Sequence, residues 1–161
     1  MKKSIWLIVF VMTWQNILSQ EIKLSHNNEE YFKNIENHEL IDELPNGNYL
    51  VFVDDEKNIL DYKGSILNRK RINTWTWFFE TGIKKMEISY QNGLISELTA
   101  YYPNGNKSVT RTYFQGIPHG PFTRWFQEGK ICITGKYENG NPAGTWKYYK
   151  EDGTLIKEEK F

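Results

Sequence analysis

The hydrophobic pattern of this chain is periodic over residues 71–161, and glycine marks the period. Glycines that close an aromatic run fall at Gly82, Gly105, Gly129 and Gly153, separated by 23, 24 and 24 residues. Seven residues before each stand Trp75, Leu98, Phe122 and Trp146, and eight after each stand Tyr90, Tyr113, Tyr137 and Phe161. A second glycine series, Gly93, Gly116 and Gly140, follows three residues behind the tyrosines. Registers that agree over this length predict tandem units of about 24 residues, and a fixed period of that size signals a repeat architecture.

Each unit predicts a β-hairpin. Its first strand is short and aromatic, Trp75 to Phe79, Leu98 to Tyr102, Phe122 to Phe126 and Trp146 to Lys150. A turn follows at Thr81-Gly82, Asn104-Gly105, Glu128-Gly129 or Asp152-Gly153, where Asn-Gly and Asp-Gly are strong hairpin signals because they tolerate positive φ. The second strand alternates, as in Met86, Ile88 and Tyr90 or Ile131 and Ile133, so that one face is apolar. Polar loops at Gln91-Asn92-Gly93, Gln115-Gly116 and Asn139-Gly140-Asn141-Pro142 are expected to join the units, with Pro118, Pro121 and Pro142 in or beside them. The fold class is therefore all-β, tandem hairpins forming a meandering antiparallel sheet. Residues 45–70 read as a degenerate first unit, with a strand from Tyr49 to Val53 and a turn at Asp54 to Asn58. The array thus spans 45–161.

The N-terminus has another pattern. Lys2-Lys3, an apolar stretch from Ile5 to Met12 and the small residue Ser19 are the parts of a secretory signal, which predicts removal of residues 1–19. The apolar run is too short to span a bilayer, for which about 20 residues are needed. Residues 20–44 form an acidic lead whose Tyr31, Phe32, Ile35, Leu40, Ile41 and Leu44 fit a short amphipathic helix loosely, and it is read as a helix or a partly ordered segment.

Period 2 within the first strands sorts the aromatics onto two faces. Trp75, Leu98, Phe122 and Trp146, with Phe79, Tyr102 and Phe126, are assigned to the core. The opposite face carries Phe78, Tyr101, Trp125 and Tyr149 among Thr76, Thr99, Thr123 and Lys147, and is the candidate binding stripe. Two roles fit such a row. Tyr and Trp dominate interface hot spots, so the stripe suits gripping a partner; equally, cross-strand aromatic pairs can simply stack on one another.

Composition and charge narrow the function. Cys132 is the single cysteine, so no intramolecular disulfide can form, and 6 Trp, 10 Tyr and 9 Phe must supply the packing. Loss of Lys2 and Lys3 leaves 18 basic against 20 acidic residues, a net charge of minus two. Residues 21–64 hold 11 acidic and 4 basic residues, whereas 65–161 hold 9 acidic and 14 basic. The basic residues of the array are interleaved with acids rather than gathered in a patch, so no nucleic-acid partner is expected.

Catalytic machinery is not legible. His26, His38 and His119 are the only histidines, and no nucleophile with an orienting acid can be placed beside them. Asp54-Asp55-Glu56 is not a calcium loop, because counting from Asp54 puts Ile59 where that loop needs Gly and Ser65 where it needs Glu. No zinc spacing or phosphate-binding glycine motif is present. The expectation is a non-enzymatic chain without catalytic, metal or cofactor residues.

Trp146 preceded by Gly144, and the segments Gly116-Ile117-Pro118-His119-Gly120 and Tyr137-Glu138-Asn139-Gly140, carry a resemblance. They resemble the YwqK-type antitoxin family, a relative of MORN repeats, clearly over 71–161 and weakly over 45–70. The resemblance implies an architecture and a binding role. An exported binding or scaffold module of the envelope or periplasm is expected, its partner a protein or else an envelope glycan or lipid headgroup. The alternative is an antitoxin-like inhibitor that binds a toxin protein.

Overall fold

The computed structural model describes residues 21–25, 45–53 and 59–161. Eleven strands are ordered by sequence in one sheet: β1 (Glu21–Ser25), β2 (Gly47–Phe52), β3 (Leu60–Leu67), β4 (Lys70–Phe78), β5 (Lys84–Gln91), β6 (Leu94–Tyr101), β7 (Lys107–Phe114), β8 (Ile117–Trp125), β9 (Ile131–Glu138), β10 (Asn141–Tyr149) and β11 (Leu155–Lys160). All neighbours are antiparallel except β1, which lies parallel to β2 with Ile22 opposite Tyr49. Within the acidic lead, residues 21–25 form this strand. A parallel partner lets Ile22 bury against the first unit, which a helix over these five residues would not do through backbone pairing. The apolar positions proposed for the helix, and the turn at Asp54 to Asn58, lie outside the described residues.

The two kinds of connection alternate along the chain and differ in construction. At one edge, Asn92-Gly93, Gln115-Gly116 and Asn139-Gly140 all hold positive φ, at 54° and 85°, 51° and 79°, and 51° and 86°. Positive φ at both central residues makes a two-residue type I′ turn, whose twist matches that of the strands it joins. These segments are tight turns rather than the polar loops expected. Pairing consequently resumes at once, and Pro118, His119, Pro121 and Pro142 lie inside β8 and β10. The prolines are tolerated because each lies at a break in register, between Arg111 and Tyr113 on β7 or next to Ala143 on β10.

At the opposite edge the turns are longer. Gly105 donates its N–H to Tyr102 C=O at 2.9 Å, and Tyr102 N–H bonds Asn106 C=O at 2.8 Å. The same pair of bonds recurs around Gly82, Gly129 and Gly153. Gly105 has φ 87°, whereas Asn104 is not among the positive-φ residues. Only the glycine of the Asn-Gly pair adopts the left-handed conformation. Asn104 instead accepts the Asn106 N–H at 3.1 Å and donates to Gln127 C=O at 2.9 Å, tying its turn to the next unit. Tyr102 Oη adds a bond to Trp125 C=O at 2.8 Å.

The buried side chains are concentrated in the first units: Ile22, Tyr49, Val51, Tyr62, Ile66 and Trp75, with Trp77 and Tyr90 against them. Farther along, Phe122 and Trp146 are the buried apolar residues. Trp75, Phe122 and Trp146 thus occupy the core face as expected, while Leu98 is half-buried. An aliphatic side chain does not reach across the neighbouring strand as an indole does. Trp75 lies over Gly64 and donates Nε1–H to Ser65 C=O, and Trp146 lies over Gly135 and donates to Lys136 C=O, both at 3.1 Å. In each case the glycine stands eleven residues before the tryptophan. Arg71 and Arg111 complete the face, each guanidinium stacked on two rings: Trp75 and Tyr90, and Phe122 and Tyr137.

Candidate binding surface

Strand register places the face opposite that core. One row crosses the sheet through paired residues: Leu50, Lys63, Thr76, Glu87, Thr99, Thr110, Thr123, Thr134, Lys147 and Glu158. Four consecutive members, on β6 to β9, are threonines. Two residues farther along from Thr76, Thr99, Thr123 and Lys147 stand Phe78, Tyr101, Trp125 and Tyr149, all on this face and all half-buried. The structure therefore brings the four stripe residues into one line on alternate strands, β4, β6, β8 and β10.

Phe52 on β2 belongs to the same line, two residues beyond Leu50. It is missed if the array is read only from Trp75 onward, although adding three to Tyr49, as Phe78 follows Trp75, would have found it. Thr110 and Thr134 are not visible from the first-strand pattern either, since they stand on the second strands and only register aligns them with Thr99 and Thr123.

A register shift recurs beside every stripe residue. Pairing passes from Trp77–Met86 to Phe78–Lys84, from Ala100–Val109 to Tyr101–Lys107, from Arg124–Ile133 to Trp125–Ile131 and from Tyr148–Lys157 to Tyr149–Leu155. The extra residue is always on the second strand: Lys85, Ser108, Cys132 and Ile156. Such bulges accentuate local twist and re-aim side chains. Cys132, a strand residue as its sequence implies, occupies one of them and is half-buried. The stripe's partners across the bulge differ along the array: Lys84 and Lys107 first, then Ile131 and Leu155, which are 43% and 46% exposed.

The aromatics of this face do not stack on each other. Alternate strands stand about 10 Å apart, beyond the ring-centroid separations of about 4.5 to 7 Å at which aromatic pairs interact. Among the described residues, the ring contacts join Tyr62, Trp75 and Trp77, or Phe122, Tyr137, Trp146 and Phe161, on the core face, and Phe114 with His119 at the edge. Thr76 and Thr99 are buried, at 5% and 8% exposure, although no second layer covers them among the described residues. Taller neighbours on the same face shield them, so the threonine row forms a furrow beside the half-buried aromatic line.

Charge stands on either side of the threonines: at the far end Lys147 pairs with Glu158 at 3.1 Å, and on β5 Glu87 is the focus. Glu87 accepts hydrogen bonds from Lys84 Nζ at 2.6 Å and from the Tyr101 hydroxyl. Burial pushes the Glu87 carboxyl up, but the bonds from Lys84 and Tyr101 outweigh it and hold the carboxyl below its ordinary range. Burial, then the bond to Glu87, pushes the Tyr101 hydroxyl up to about 12. His119 is exposed on β8, near the Phe114 ring and 3.5 Å from the Asn139 N–H. Among the described residues, no group of three or more His, Cys, Asp or Glu is placed to hold a metal ion.

Fold and surface define a class, a single-sheet array of β-hairpin repeats. Residues 71–92 and 142–161 match the MORN repeat variant, the two segments containing the Asn73-x-Trp75 and Gly144-x-Trp146 strands. No curated protein matches the chain. Among solved structures, the chain is similar to TarM, with a TM-score of 0.36 and 14% identity over 83% of this chain and 24% of that one. It is also similar to a GtfA/B complex bound to UDP and GlcNAc, with a TM-score of 0.34 and 11% identity over 88% of this chain and 39% of that one. The chain spans less than half the length of either.

Proposed function

We propose that this chain is an exported, non-catalytic repeat module that holds a partner against the face carrying Phe78, Tyr101, Trp125 and Tyr149. The observation that carries this reading is the spacing of the four rings. They are held half-exposed on alternate strands, too far apart to satisfy one another; Lys63 Nζ stands over the Phe78 ring at 5.7 Å, whereas Tyr101, Trp125 and Tyr149 have no ring or cation contact among the described residues, so those three faces are available to something else. Match of two segments to a repeat variant supports a binding module, since stacked repeats create extended surfaces. Export rests on Lys2-Lys3 and the short apolar run behind them.

Site-specific photo-crosslinking in the native host tests the surface. A crosslinking residue in place of Trp125 should trap a partner, whereas one in place of Glu128, in the adjoining turn, should not. Equal yields from both would overturn the assignment of the face. Intact-mass measurement tests export, with residues 1–19 absent from the mature chain. Full-length 19.1 kDa protein in the membrane fraction would overturn it, and a cytoplasmic pool would favour the antitoxin-like reading instead.

A further inference from the structure

We infer that the partner on this face is an extended, uncharged polysaccharide with β-linked pyranose rings, laid across the strands along the threonine furrow. The inference rests on the reading of this face as the partner-binding surface, and it names the chemistry of the partner.

Three observations lead to it. The first is periodicity. Rings on β4, β6, β8 and β10 recur about every 10 Å, and a fully extended β-linked glycan of the cellulose or chitin type presents the same sugar face at alternate residues with a matching repeat. A regularly spaced row suits a regularly spaced polymer, whereas a folded protein surface has no reason to repeat at the interval of two strands.

Chemistry along the row is the second. A pyranose has a face of C–H groups ringed by hydroxyls, so it needs an apolar plate beside hydroxyl-bonding partners. Trp125, Tyr101 and Tyr149 supply plates with polar tips. Thr110, Thr123 and Thr134, half-buried where Thr99 is buried, supply a line of hydroxyls, each both donor and acceptor, beside those plates. No other stretch of the described sheet sets consecutive hydroxyls beside a line of half-exposed rings.

Charge is the third. From Thr99 to Thr134 the row contains no ionisable group, and Trp125 and Tyr149 pair across the bulges with Ile131 and Leu155. On the earlier units the counterparts are charged, with Lys84 engaged by Glu87 and Lys107 across from Tyr101, and at the far end of the row Lys147 is paired with Glu158 at 3.1 Å, so the uncharged stretch is confined to β6 to β9. A polyanion such as nucleic acid or an acidic lipid surface would be matched by a run of cations there, and an uncharged ligand is matched by its absence.

Titration of the mature protein with cello- and chito-oligosaccharides, followed by tryptophan fluorescence and calorimetry, tests the inference, with malto-oligosaccharides as the differently linked control. Affinity for one or both β-linked series should rise with chain length from disaccharide to hexasaccharide, and the malto series should not bind. Trp125→Ala should weaken binding about tenfold or more, as loss of a central aromatic anchor does, while Trp125→Tyr retains most of it. Thr110→Lys, which fills the furrow and leaves every ring in place, should also weaken binding by about tenfold. The inference is overturned if neither β-linked series binds, if the malto series binds as tightly, or if binding survives both Trp125→Ala and Thr110→Lys. If crosslinking at position 125 then still traps a protein, the broader reading of the face stands without the glycan; if it traps nothing, both fall.

Discussion

Trp146 lies flat over the backbone of Gly135 and bonds the carbonyl of the following residue, Lys136, through its Nε1–H. The same arrangement, at the same separation of eleven residues, joins Trp75 to Gly64. Among the described residues the sheet has no facing layer to bury these rings, and each of the two indoles is buried against the neighbouring strand's own backbone. Glycine is required there for space.

Gly135→Ala and Gly64→Ala should therefore each lower stability by about 1 to 3 kcal/mol through overpacking. A Cβ at either position would overlap the indole, whose displacement also breaks the Nε1–H bond. Urea midpoints measure this. An unchanged midpoint for Gly135→Ala would show that Trp146 moves freely and that the lock is not structural.

Gly105 tests the turn instead. A Cβ there has no neighbour closer than Ile83 at 4.0 Å, so Gly105→Val acts through backbone conformation at φ 87° and not through crowding. Destabilisation of about 1 to 3 kcal/mol is expected. Because strands pack mainly on their sequence neighbours, hydrogen exchange should show faster opening in β5 to β8 and little change in β2 and β3.

The two faces should respond differently to loss of a ring. Trp146→Ala removes a buried residue and should destabilise by about 3 to 5 kcal/mol. Trp125→Ala removes a half-exposed one and should lower the melting temperature by clearly less. Equal melting shifts would mean that Trp125 is as much a part of the packing as Trp146, and would remove the distinction between core and stripe.

Glu87 and Tyr101 predict a pH profile. Glu87 has its folded pKa depressed, so its stabilisation is complete above its ordinary value of 4.5 and is lost as pH falls through the lower, folded value. Tyr101 has its folded pKa raised, so its contribution is complete below 10.0 and is lost as pH rises toward about 12. Glu87→Gln should flatten the acid limb of melting temperature against pH, and Tyr101→Phe the alkaline limb. Glu138, Asp152 and Glu159 are also held low, by hydrogen bonds from Lys136, Thr154 and Lys157 first, but they are common to wild type and variants. The difference curves accordingly isolate the pair, and parallel curves would show that the bond contributes nothing.

Sequence by itself determined the period, the hairpins and which aromatics share a face, because glycine spacing and two-residue alternation are local properties of the backbone. Trp75, Phe122 and Trp146 are read as core without any structure for this reason. Tertiary structure alone decided the rest. Whether Asn92-Gly93 is a loop or a tight turn depends on both residues adopting positive φ, which the strands on either side enforce. That Thr110 and Thr134 fall in line with Thr99 and Thr123 depends on register across four strands, and a slip of one residue would have sent them to the other face. The parallel placement of Glu21–Ser25 is least visible of all, since a five-residue segment carries no sign of which distant strand will pair with it. Long-range pairing is a property of the assembled sheet, and no local pattern encodes it.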